Sequence, residues 1–288
     1  MKRYCGKNWT IEDIESIRTL ISARPSANRA TLSRLVCEMF NWRKPDGKLK
    51  EMSCRVAMIR MHRDKLINLP QPTRSAPKPY QLVISSECDP AQNIHCLVNE
   101  LCNLSIEPVK RGKSLSLWNQ FVARYHYLGY KMLPGAQLRY FIKDGNRFLG
   151  MMGFGAAAWK VAPRDIFIGW NSDIREKRLH LIVNQSRFLI LPWVHCRNLA
   201  SKSLSIITTR LPDDWNQLYG YRPLLMETFV EIARFRGTCY QASNWIMVGN
   251  TQGRGKLDRH RLSAQPIKSI WLKPLTEDFR LQLGGSQS

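Results

Sequence analysis

The sequence predicts an α/β (α+β) protein in two parts, a small helical module followed by a body built on a mixed sheet. Three observations carry this. Apolar residues recur at helical spacing through the first module, a proline-rich stretch interrupts the chain at residues 69–80, and beyond it apolar strand-like runs alternate with helical periods.

Composition narrows the function before any motif does. The 288 residues are 44% hydrophobic, enough for a real core, and 44 Lys and Arg stand against 22 Asp and Glu, a formal charge of +22. Such an excess repels itself unless an anion is close, which makes nucleic acid the expected partner. Attachment to anionic lipid would call for a basic amphipathic helix or an apolar span, and no apolar run approaches the ~20 residues of a membrane crossing. The N-terminus "MKRYCGKNWTIEDIESI" lacks an apolar signal region and a cleavage site, so a cytoplasmic location is expected. The eight cysteines form no Cys-x-x-Cys pair and read as reduced core or loop thiols; Cys88, His95, Cys96 and Cys102 are the one grouping with zinc-ligand chemistry, at a spacing that matches no standard motif.

The stretch "LPQPTRSAPKPY" has four prolines and reads as a semi-rigid linker over 69–80, separating a module at 1–68 from a body at 81–288. In the module, Thr10 caps a helix whose Ile11, Ile14, Ile17, Leu20 and Ile21 share a face, and Pro25 ends it. A second helix is expected near 29–40 and a third near 51–63, followed by "DKLINLP" as a short strand or wing. Three helices with a basic third one predict a winged-helix or helix-turn-helix arrangement, in which Lys48, Lys50, Arg55, Arg60 and Arg63 meet phosphates and base edges. A solvated helix face is the plainer reading of such charges, but residues 1–80 hold 17 Lys and Arg against 7 Asp and Glu.

In the body, Trp118, Phe121, Val122 and Tyr125 define a helical face, and "AQLRYFI" and "RFLGMMGFG" flank an Asp-Gly that predicts a hairpin. A charged helix near 173–179, an apolar strand at 187–194, a helix at about 199–211, a strand at 221–230 and a late edge strand, "SIWLKPL", complete the sheet.

These segments carry a resemblance. "YHYLGYKMLPGAQLRY", "SRFLILPWVHCRNLASKSL", "DDWNQLYGYRPLLMETFV" and "RFRGTCYQASNWIMVGNTQGRG" resemble the DruA family, named for a component of the Druantia anti-phage system, whose relatives also accompany insertion-sequence transposases. A more distant likeness is to Mom-type DNA-modifying proteins and, through them, to the acyltransferase fold. The resemblance implies a DNA-binding protein of a phage-defence or mobile-element system with an acyltransferase-like mixed-sheet domain acting on DNA. Possible homo-oligomers and other defence or transposition proteins join DNA among the expected partners.

Chemistry distributes over several residues. A loop opening a helix aims unpaired N–H groups at an anion, and Asn198, Ala200 and Ser201 occupy that place for an acyl donor such as CoA; where familiar acyltransferases have paired glycines this chain has Leu199 and Ala200, and a simple helix cap is the alternative. Glu227 interrupts an apolar strand and Glu231 follows on the same face. With Asp165 they are candidates for a general base, or for holding Mg²⁺ in a strand-cleaving alternative, or for plain salt bridges to arginine. His126 is the candidate for proton transfer near neutral pH, and Tyr127 and Tyr240 are candidate nucleophiles toward a phosphodiester. Tyr240, Asn244 and Trp245 read as an aromatic surface with an amide for an extruded or single-stranded base, and Arg254, Lys256, Arg259 and Arg261 as the phosphate-facing tract beside it. A non-catalytic DNA-binding component of a defence complex is the remaining reading.

Overall fold

Cys5 and Gly6 both take positive φ, 51° and 83°, the geometry of a two-residue hairpin turn, and they join strands β1 (Lys2–Tyr4) and β2 (Lys7–Trp9) at the start of the chain. This is a computed structural model, and it describes residues 1–73, 82–253 and 265–284. The chain divides into two compact units, Met1–Tyr80 and Gln81–Ser288.

In the first unit Thr10 caps α1 (Ile11–Ser22) through a reciprocal capping box with Asp13. Asn28 caps α2 (Arg29–Met39) by accepting from the Ala30 and Thr31 N–H groups. The third helix, α3 (Glu51–Arg63), turns Cys54, Ala57, Met58 and Met61 inward. Trp9 is fully buried between the edges of Phe40 and Trp42, at 5.3 and 5.5 Å, and closes the hairpin over the helices. The wing expected after α3 is absent. No strand forms there among the described residues; the segment folds back on α3, with His62 Nδ1 3.0 Å from the Ile67 carbonyl. The first unit is thus three helices and an N-terminal hairpin.

The second unit is built around one seven-stranded mixed sheet. Its elements run β3 (Ile94–Leu97), β4 (Leu104–Pro108), α4 (Lys113–Tyr125), β5 (Gln137–Asp144), β6 (Arg147–Ala156), α5 (Ala162–Ile168), α6 (Ser172–Arg178), β7 (Ile182–Ile190), β8 (Val194–Arg197), α7 (Leu199–Tyr219), β9 (Leu225–Glu231), α8 (Thr238–Ala242), β10 (Ile246–Asn250), β11 (Lys268–Pro274) and α9 (Phe279–Leu283). The sheet order is β10-β11-β9-β7-β6-β5-β4, antiparallel throughout except for the parallel pair β7 and β9, while β3 and β8 form a separate parallel pair. The Asp-Gly hairpin forms as expected, with Gly145 at φ 56°. "SIWLKPL" lies inside the sheet, between β10 and β9, because the "WIMVGN" segment adds outside it as the edge.

Both faces are covered. Arg139 and its register partner Gly153 face α4, where Trp118 lies under the Arg139 guanidinium, and the next residue, Tyr140, turns to the opposite face and donates to Asp214 of α7. Helix α7 runs through Pro212, two turns past its expected end, because that proline is buried and the helix continues to a left-handed Gly220. A second cluster, built from Val161, Ile168, Leu225, Ile270, Leu272, Phe279 and Leu283, packs α5 and α9 against the other half of the sheet.

Candidate functional site at a fork in the sheet

The parallel ladder between β7 and β9 runs from Ile182 opposite Leu225 to Gln185 opposite Thr228 and stops. Both strands continue, β7 paired to β6 as far as Ile190 and β9 paired to β11 as far as Glu231. They therefore part, and a bulge at Ser186 sets the divergence. Candidate functional side chains collect around this fork.

His126 ends α4 beside it, stacked on Tyr127 at 4.9 Å. Burial, with Arg187 and Lys268 adding like charge, pushes the imidazole down to about 4. Its Nδ1 accepts the Leu128 N–H at 3.2 Å, so in the neutral ring the proton sits on Nε2. With its pKa lowered in this way, the ring at neutral pH is an uncharged hydrogen-bond donor through Nε2.

Arg187 holds the Gly129 and Ser186 carbonyls from Nε and Nη1, at 3.2 and 2.7 Å. Glu231 is buried and paired with Arg234 at 2.9 Å. Burial, and after it the Glu231 charge, raise the Tyr127 phenol, with Arg187 and Arg234 opposing. Tyr127 is 38% exposed and Phe235 49%, their rings lie 5.4 Å apart, and the Arg234 guanidinium sits 5.2 Å from the Tyr127 ring. This is an aromatic and cationic rim on open surface.

Tyr240 approaches from the α8 side. It is buried against Phe188, Trp245 and Trp271, and its phenol is raised by that burial, with the Thr228 hydroxyl lowering it slightly. Trp245 is only 4% exposed, so Tyr240 and Trp245 are core and not the stacking surface expected of them; Asn244 is exposed, left-handed at φ 59°. Gln185 is 3% exposed, and neither its Oε1 nor its Nε2 has a hydrogen-bond partner. An amide buried without partners costs about 1–3 kcal/mol for each unsatisfied group, so it marks a place built for something else.

Glu227 is fully buried and accepts the Ala158 N–H and Arg164 Nη1, each at 2.7 Å. Burial raises its carboxyl; Arg164 and the Ala158 N–H oppose this. The same guanidinium binds Asp165 at 2.7 Å, and Asp165 also accepts from Trp170 and Arg175. Arg164 thus occupies the space between the two carboxylates, where Mg²⁺ was expected. The salt bridge is the reading this geometry supports.

Asn198 is left-handed at φ 65° and gives α7 no side-chain cap, while Ser201 turns its hydroxyl back to the Asn198 carbonyl at 3.1 Å. The first-turn N–H groups of a helix have no acceptor within it, and Leu199 buries its side chain in the core, leaving Ala200 at the surface. Ser203, one turn in, is fully buried with an unpartnered hydroxyl. The residues fit an anionic group such as the pyrophosphate of CoA.

Of the DNA-facing residues expected in the first unit, Arg60 and Arg63 are exposed on α3, Lys48 is exposed beside Asp46, and Lys50 precedes the helix without capping it. Arg55 is half-buried, its Nε buried without a partner. Arg254, Lys256, Arg259 and Arg261 lie outside the described residues. Cys88 is buried against Gln120 and Leu117, and among the described residues no three His, Cys, Asp or Glu side chains come together as a metal site. Cys96 meets Cys196 across the β3–β8 ladder. Gln185, Arg187, Arg234 and Phe235 escaped the sequence reading; the run of four polar residues inside "IVNQSRFLI" was the available signal.

Fold and site together define a two-unit α/β protein whose larger unit opens a polar fork between two parallel strands. The chain belongs to the DruA family: the model described as Druantia protein DruA matches residues 60–269. Among curated proteins none matches. Solved structures similar to this chain include acetyltransferases at low identity. The aminoglycoside acetyltransferase AAC(6')-Ib in complex with coenzyme A is 11% identical with a TM-score of 0.40, over 62% of this chain and 98% of its own. The ribosomal-protein-S18-alanine N-acetyltransferase of Escherichia coli is 7% identical with a TM-score of 0.37, over 60% and 94%. The microcin C7 self-immunity acetyltransferase MccE in complex with acetyl-CoA and AMP is 8% identical with a TM-score of 0.32, over 48% of this chain, which spans only 61% of that protein.

Proposed function

We propose that this chain is a DNA-binding protein of a phage-defence or mobile-element system and that its larger unit modifies a nucleotide of that DNA at the β7–β9 fork. The observation that carries the reading is the rim of exposed Tyr127 and Phe235 with the Arg234 guanidinium, together with Gln185 at the last rung of the parallel ladder, whose buried amide has no partner. Aromatic faces stack on any base at about 1–3 kcal/mol each, and a buried amide reads the edge of an extruded one.

In this reading the His126 Nε2–H donates to negative charge developing on the reacting group, and Glu231 takes up the proton that is released. An acyl donor such as CoA, held by the first-turn N–H groups beside Asn198, Ala200 and Ser201, would supply the group transferred. Strand cleavage has less support: both tyrosines are held as neutral phenols, and Glu227 and Asp165 already neutralise Arg164.

The test is fluorescence anisotropy with a labelled single-stranded oligonucleotide. Contact with ~6–10 phosphates makes affinity fall about 10³–10⁵-fold between roughly 50 and 200 mM salt. Tyr127→Ala and Phe235→Ala should each weaken binding about 5- to 100-fold. Flat salt dependence, with both variants binding as the parent does, would refute the reading.

A further inference from the structure

The α4 face of the sheet carries a hollow lined by Trp118, Tyr130, Lys131, Arg139, Gly153 and Arg187. Arg139 and Arg187 are both half-buried, on neighbouring positions across β5, β6 and β7, since Gly153 is the register partner of each. Neither has a carboxylate partner among the described residues. Arg139 donates from Nη2 to the Gln137 amide and lies 5.3 Å from the Trp118 ring; Arg187 donates from Nε and Nη1 to two carbonyls. The Nε and Nη1 of Arg139 and the Nη2 of Arg187 make no hydrogen bond to the described residues.

Two half-buried guanidinium groups flank Gly153 from either side with no counter-charge among the described residues, and burial lowers the pKa of both, so an anion that took up their unbonded N–H groups would be favoured there. Lys131 adds a third cation at the rim. Glycine at 153 keeps the hollow open: a Cβ there would stand 3.0 Å from the Trp118 ring and 3.3 Å from the Arg187 Cβ. Planar guanidinium forks with free donors suit the tetrahedral oxygens of a phosphate.

We infer that this hollow is a phosphate-binding subsite, which holds a backbone phosphodiester of the DNA strand next to the nucleotide at the fork. The phosphate chemistry stands on the two arginines alone; the choice of a DNA strand as its source rests on the function proposed above. Arg187 joins the two places, because it faces the hollow and also acts on His126.

Two probes separate these parts. With the full chain, ³¹P NMR of inorganic phosphate should show broadening that is lost in Arg139→Gln, in Arg187→Gln and in Gly153→Ala, but kept in Arg178→Gln, an exposed arginine at the end of α6. With single-stranded oligonucleotide, Arg139→Gln and Arg187→Gln should each lower the slope of log affinity against log salt by about 0.7. Near-UV circular dichroism checks folding, and should Arg187→Gln unfold, Arg139→Gln on a different strand carries the test. Broadening that survives in Arg139→Gln, or that Arg178→Gln abolishes equally, overturns the subsite and leaves diffuse attraction to a cationic surface. Specific phosphate binding by a parent chain that binds no oligonucleotide keeps the subsite, makes a free phosphate ester its occupant, and overturns the DNA reading. An unchanged salt slope in both variants, with phosphate binding lost, removes the phosphodiester assignment in the same way.

Discussion

At Glu227 a carboxylate in an apolar strand turns out to be half of a fully buried ion pair, and its partner Arg164 comes from a helix 63 residues earlier. Glu227→Ala strands that guanidinium and should cost about 3–5 kcal/mol, measured by denaturant unfolding, whereas Glu227→Gln keeps the size and an acceptor and should cost less. A Glu227→Ala protein of parental stability would mean that the pair is not structural. His126 makes a pH-dependent contribution. Its native pKa, about 4, is below the ordinary 6.5, so between those values the unfolded chain binds the extra proton and stability declines as pH falls. The decline should reach about 3 kcal/mol by pH 4, and His126→Gln should flatten it in urea melts between pH 7 and 4. An identical pH profile in the variant would contradict a buried neutral ring. The sequence made Glu227 and His126 conspicuous as residue types, but their roles were not legible, because a role depends on the partner, here Arg164 and the Leu128 N–H.

Elements with local signals were the readable ones. Thr10 and Asn28 cap helices where their side chains reach the next turn, α3 keeps its expected bounds, and Asp144-Gly145 turns the β5–β6 hairpin. What needed long-range pairing was not readable. The edge position of β10, the place of β11 inside the sheet and the β7–β9 fork depend on strands meeting across tens of residues. The opening hairpin was hidden because Cys-Gly is an unusual pair for positive φ at both turn positions. The first turn of α7 offers a test at this scale. Ala200→Glu places a carboxylate where the helix dipole favours it, so thermal stability should hold or rise by a few tenths of a kcal/mol, while calorimetric binding of CoA should be lost. CoA binding unchanged by that charge would place the donor elsewhere.

For the molecule as a whole the dominant quantity is the +22 charge, and no helix among the described residues is long and apolar enough to cross a membrane. On the DNA-binding reading proposed above, the arginines of α3 are phosphate contacts at this scale: Arg60→Ala and Arg63→Ala should each weaken duplex binding uniformly across sequences and lower the salt slope by about 0.9. Slopes equal to the parent's would assign those charges to solvent alone. The central claim, that a nucleotide sits at the fork of the larger unit, has a more direct test. Photo-crosslinking the full chain to single-stranded DNA carrying 5-iodouracil, followed by peptide mass spectrometry, should place adducts on Tyr127 and Phe235 and lose them in Tyr127→Ala with Phe235→Ala. Adducts confined to residues 1–73, with the fork peptides unmodified at saturating DNA, would contradict it.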